Sequence, residues 1–314
     1  MRKPVLSVQK IPKINPHLTN LYSAMKRIAS SFIILILLIK PVLAQSTKAD
    51  VSKVLEAEKS FVKLVETMGI KGGFLEVADP EGIIFKPTVV RINDFYKTIQ
   101  NQAGTLTWTP QFARISQNGD LAVTAGPYIY QNGKSDTDKV FGDYVSVWRT
   151  DADNKFKLLI DLGIQHPEPE SVEKNDIKNP SDSLKIDASG KDPFNGKKII
   201  LATDNAFNYS LSESTIAAYN EFLSPKARYY FPGFDPMSGP QSVMKFINNE
   251  AITMTAENTS AGRSSSNDLA YSYGTARIKK GYLVHNYNYV RIWEMDTEHK
   301  WNILLEILSP LEND

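Results

Sequence analysis

The sequence predicts an α+β protein in which one helices-then-sheet unit occurs twice. Three observations lead there. Apolar residues at helical spacing open each half, long alternating strands close each half, and blocks from the two halves match in order at a shift of about 146 residues.

The opening helix of the first half carries Val54, Glu58, Phe61 and Val65 on one face, at i, i+4, i+7 and i+11. The second half answers with Ile200, Asp204, Phe207 and Leu211. An apolar strand closed by proline follows, IIFKP at 83–87 and YYFP at 229–232. A short helix comes next, NDFYKTIQN at 93–101 matching QSVMKFINN at 241–249. The strands GDLAVTAG (119–126) and NDLAYSYG (267–274) then align. So do the closing runs 145–162 and 289–308, brought into register by Trp148 and Trp293. NKF (154–156) and EHKW (298–301) interrupt those runs as hairpin turns do. Each unit therefore reads as helix, short helix, strand, helix and three or four long strands, with helices expected on one face of a curved antiparallel sheet.

The expected boundaries are an N-terminal extension and signal peptide (1–44), a first domain (45–167), a linker (168–196) and a second domain (197–314). The linker is rich in Pro, Ser, Asp, Lys and Asn and too poor in apolar residues to bury a core.

Residues 25–44, MKRIASSFIILILLIKPVLA, combine a basic start, an eight-residue apolar run and small residues before Ala44. That is the three-part signature of a secretory signal. The apolar run is far short of the ~20 residues a spanning helix needs. Cleavage after Ala44 and a periplasmic or secreted product with no stable membrane anchor are expected, with Met1 and Met25 both open as the start.

Residues 1–44 hold seven basic side chains and no acidic one, leaving 29 basic against 35 acidic residues in the body. A body of that sign gives no reason to expect nucleic acid as a partner. The chain has no cysteine, which excludes disulfides, thiolate metal sites and cysteine nucleophiles. His166, His285 and His299 lie far apart in sequence with no zinc spacing, so no metal is expected. Nucleotide-binding glycine motifs and a Gly-x-Ser-x-Gly elbow are absent, and no cofactor is expected.

Residues 106–130, LTWTPQFARISQNGDLAVTAGPYIY, resemble the NTF2-like superfamily, in particular secreted bacterial proteins of the SnoaL-like and DUF4440 type. The resemblance rests on Trp108-Thr109-Pro110, Gly119-Asp120-Leu121 and Thr124-Ala125-Gly126-Pro127, and the closing hairpin 141–164 is similar as well. The second copy keeps Asp268, Gly274 and Trp293, but has Ala256 where Trp108 stands. The resemblance implies two cone-shaped domains with a pocket between helices and sheet. It implies little about chemistry, because this fold hosts isomerases, cyclases, dehydratases and pure binding domains.

Two matched acid pairs are candidate catalytic residues. Glu58 and Asp204 lie on the apolar stripe of the first helix, where a carboxyl has a raised pKa unless a partner neutralises it. Asp161 and Glu306 lie in the apolar last strand, as proton carriers or as acids on an outer sheet face. Trp108, Tyr128 and Tyr144 in the first copy, and Tyr271, Tyr273, His285 and Tyr287 in the second, are candidate ligand-binding residues. Such rings suit an apolar ligand or an enolate, and equally an ordinary sheet surface. Three functions stay in view: binding of a small, largely apolar ligand; isomerase, cyclase or dehydratase chemistry using a pocket carboxylate; and a non-catalytic scaffold. The partners expected are a small molecule and a second sheet face, as a homodimer or an intramolecular pseudo-dimer.

Overall fold

The computed structural model describes residues 49–169, 174–181 and 193–311. The expected signal peptide and the upstream extension lie outside the described residues. From Lys48 onward the chain forms one compact unit.

The first half opens with helix α1 (Ser52–Val77), which buries Val54, Glu58, Phe61 and Val65 as their spacing predicts. The helix breaks at Gly69, whose φ of 77° is open to glycine at no steric cost. Strands β1 (Ala78–Phe85) and β2 (Val89–Arg91), helix α2 (Ile92–Thr98) and strands β3 (Thr105–Trp108), β4 (Phe112–Ile115), β5 (Leu121–Gln131), β6 (Lys139–Thr150) and β7 (Phe156–His166) complete it. The second half runs α3 (Pro193–Glu213), α4 (Thr215–Phe222), β9 (Leu223–Tyr230), β10 (Met237–Ser238), α5 (Pro240–Asn249), β11 (Ile252–Arg263), β12 (Leu269–Lys280), β13 (Leu283–Met295) and β14 (Trp301–Pro310). Ser214 caps α4 through its hydroxyl.

The sheets repeat one strand order. The first runs β2-β1-β7-β6-β5, with β3 and β4 both on β5, and the second runs β10-β9-β14-β13-β12-β11. Strand β11 is thus the unbroken form of β3 and β4, which Thr109-Pro110-Gln111 separates. Asn154 and His299 take positive φ at the two matching hairpin turns.

Two expectations need correction. The sheets are not wholly antiparallel, because β1 pairs parallel with β7 and β9 with β14. Each of those strands leaves a helix and enters its sheet in the same direction as the last strand. The linker is also not wholly solvated. Its residues Asp176–Lys178 form β8, parallel to β4, and Asp176 pairs with Arg114 at 2.7 Å. Pairing at a sheet edge uses backbone groups, so a segment poor in apolar residues can still be held.

Helices cover one face of each sheet, and a shared apolar layer covers the other. Val123, Val145, Val147, Leu162 and Ile164 of the first sheet pack in one cluster with Leu269, Val290, Ile292 and Ile307 of the second. At one edge of this layer two hairpin turns exchange the same contact twice. Ser265 N donates to Asp120 Oδ2 at 2.8 Å, and Gln117 N donates to Asp268 Oδ2 at 2.7 Å.

Candidate functional site

A cavity of about 400 Å³ opens in the first half between α1, α2 and the sheet. Phe61 and Phe74 reach it from α1, Tyr96 from α2, Trp108 from β3, and Tyr128 and Tyr144 from β5 and β6. The ring of Tyr128 lies over two glycines: a Cβ on Gly142 would come within 2.6 Å of it, and one on Gly163 within 3.4 Å. Glycine at these positions is what lets an aromatic ring lie close against the sheet.

One carboxyl lines the cavity, that of Asp161 on β7. Ser146 Oγ on the neighbouring strand donates to its Oδ1 at 2.7 Å. Burial pushes the Asp161 carboxyl up to about 6, while the Ser146 hydrogen bond and the charge of Lys86 pull it down. Burial also holds Tyr128 and Tyr144 above their ordinary values, with Asp161 and neighbouring carboxylates adding to it. Both phenols are therefore neutral hydroxyls at physiological pH, able to donate.

Glu58 stands behind this wall, 1% exposed and outside the cavity lining. Trp108 Nε1 donates to its Oε2 at 2.8 Å, Trp148 Nε1 to its Oε1 at 3.2 Å, and Thr124 Oγ1 also donates to Oε1. Burial pushes Glu58 up to about 7 against those three donors. Glu58 ties the first helix to the sheet; the carboxyl that a ligand would meet is Asp161.

The same register in the second half carries different side chains. Ile84 and Ser146 flank Asp161 in the ladder, and Tyr229 and Arg291 flank Glu306 in the same places. Gly163 pairs with Tyr144 where Leu308 pairs with Tyr289, and Gly142 pairs with Gln165 where Tyr287 pairs with Pro310. In the opposite sense, the facing pair Trp108 and Tyr128 becomes Ala256 and Ala276.

Arg291, fully buried, joins both second-half acids. Its Nη1 meets Asp204 Oδ1 and its Nε meets Glu306 Oε1, each at 2.6 Å. Tyr289 donates to Asp204 at 2.7 Å and Tyr219 to Glu306 at 2.5 Å. The guanidinium lies 3.8 Å from the centre of the Tyr289 ring. Burial opposes its charge, but Glu306 and Asp204 outweigh that and hold it above its ordinary value. Asp204 and Glu306 thus belong to a buried ion triad.

The other second-half candidates are spread over three places. Tyr271 and Tyr273 pack against the layer between the sheets, with Tyr273 6.2 Å from Phe85, because their strand face looks across to the first half. Burial pushes Tyr271 up to about 12. Tyr287 is buried in the second core 5.5 Å from Phe231, and His285 is half-buried near the start of β13. Sequence reasoning missed Arg291, Ser146 and Lys86. The signal was present for the first two: alignment through Trp148 and Trp293 sets Ser146 against Arg291, a lone cation in an apolar strand.

No family model and no curated protein matches this chain. Among solved structures it is similar to a ketosteroid isomerase-like protein from Erwinia carotovora atroseptica, at 13% identity, over 38% of this chain and 99% of that one, with a TM-score of 0.34. An NTF2-like protein from Cytophaga hutchinsonii is similar at 11% identity, over 36% and 96%, with a TM-score of 0.31. An LEH-like epoxide hydrolase of M. tuberculosis is similar at 14% identity, over 36% and 78%, with a TM-score of 0.29.

Proposed function

We propose that this is an exported pair of NTF2-like cones of the SnoaL-like, DUF4440 type, joined as a built-in pseudo-dimer, in which only the first cone binds a small, largely apolar ligand. The observation that carries the reading is the contrast at one ladder position. Ser146 leaves about 400 Å³ open before Asp161, whereas Arg291 occupies the matching place before Glu306. Aromatic walls with a few convergent polar groups are what small-molecule pockets offer. Calorimetric titration of the full chain with 2-naphthol should show one saturable site. Gly163→Leu, which copies Leu308 of the second half, should weaken binding at least about tenfold by filling the cavity. Unchanged affinity in that variant would remove the first cone as the site.

A second reading, proton transfer, is favoured by Asp161 itself, a cavity carboxyl raised to about 6 beside neutral phenols. If it acts as a base, the chain should accelerate deuterium exchange into an enolisable ring ketone. The rate should rise with pH through about 6 as Asp161 ionises, then level off. Asp161→Asn should slow the exchange by roughly 10²–10⁴. An exchange rate no faster than buffer, with 2-naphthol still bound, leaves binding as the whole function.

A further inference from the structure

We propose that the ligand of this cavity is a ring-bearing carboxylate, with its anionic group held by Lys86; this rests on the reading of the first cone as the binding site. Lys86 follows Phe85 at the end of β1. Strand alternation puts Lys86 on the same side as Ile84, the ladder partner of Asp161, and both line the cavity. Gly163, two residues on from Asp161, lines the cavity beside it, under the Tyr128 ring.

Lys86 is the only cation among the described residues that line the cavity, and it is exposed, which sets it at the open end. It makes no ion pair and no side-chain hydrogen bond among the described residues, and it acts on Asp161 only through its field. A ligand can therefore satisfy both groups at once. A carboxylate meets the ammonium at the mouth, the ring lies among Phe61, Phe74, Trp108 and Tyr128, and a hydroxyl or carbonyl reaches Asp161 and Tyr144.

One lysine facing one carboxyl suits a single negative charge. A phosphate dianion would meet the Asp161 charge with too few donors to offset it. The matching position in the second half is Phe231, two residues beyond Tyr229, so the cation is not repeated there.

The test compares 2-naphthoate with 2-naphthamide, which share ring and shape and differ in charge, by titration calorimetry on the full chain. The acid should bind about tenfold or more tightly. In Lys86→Met that preference should collapse, and in Lys86→Arg it should persist. Raising the ionic strength should narrow the gap in the wild-type chain, because Lys86 is exposed. Equal binding of acid and amide to the wild-type chain overturns the carboxylate assignment while the ring pocket stands. Failure of both to bind, with 2-naphthol also silent, overturns the pocket and the assignment together.

Discussion

Replacing Arg291 by methionine should destabilise the protein by about 3–5 kcal/mol, the largest loss expected of any single side chain outside the apolar core. The guanidinium, Asp204 and Glu306 are each 0% exposed, so removing the cation leaves two carboxylates facing each other across a dry interior. Neither can reach water, and Tyr219 and Tyr289 donate only one hydrogen bond to each. In urea denaturation the midpoint should fall while the slope stays constant, which marks a change in stability and not in the denatured state. Removing all three charges together, with Asp204→Leu, Arg291→Met and Glu306→Leu, should restore most of the loss, since well-packed apolar replacements of buried ion pairs are often neutral. A midpoint unchanged in Arg291→Met would mean that the triad contributes nothing net.

The second large effect is a pH dependence carried by Glu58. Its carboxyl is raised from 4.5 to about 7 in the folded chain by burial, against the donors Thr124, Trp108 and Trp148. A group raised on folding takes up protons as the chain folds. Its contribution is therefore fully present below about 4.5 and is lost as pH rises through about 7. A difference of that size corresponds to about 3 kcal/mol between pH 4.5 and pH 8. Glu58→Gln should flatten this part of the stability profile. It should also carry a constant penalty, because an amide offers fewer acceptor sites to the two indole N–H groups. The check is urea unfolding at several pH values for both proteins. If the two profiles run parallel, the titrating group is another one, and Asp161, raised in the same direction, is the next to replace.

The doubled unit was legible because each half repeats its periodicities in one order. The helical spacing of Val54, Phe61 and Val65 survives as Ile200, Phe207 and Leu211, and Trp148 and Trp293 fix the strand register. The face of each last strand was not legible. From Ile160 on the strand alternates: Ile160, Leu162 and Ile164 are buried, while Asp161, Gly163 and Gln165 between them are more open and line the cavity. That alternation separates two faces, but an acid on the more open face reads the same whether that face looks into a cavity or out to solvent. Glu58 looked like a pocket acid because it lies on an apolar stripe; of that stripe Phe61 lines the cavity, whereas Glu58 is enclosed by Thr124, Trp108 and Trp148. Strand β8 was missed because three residues with a single apolar side chain, Ile177, show no periodicity; backbone pairing and the Asp176–Arg114 contact hold them.

The apolar layer shared by the two sheets joins the half that holds the cavity to the half around Arg291. An open cavity forgoes packing that a core would otherwise have, and proteins tolerate such a loss only above a stability threshold. Here the half around Arg291, with its own buried apolar cluster, can act as ballast. Substitutions that reshape the walls around Asp161 draw on the stability of the whole 48–314 unit rather than of one small domain.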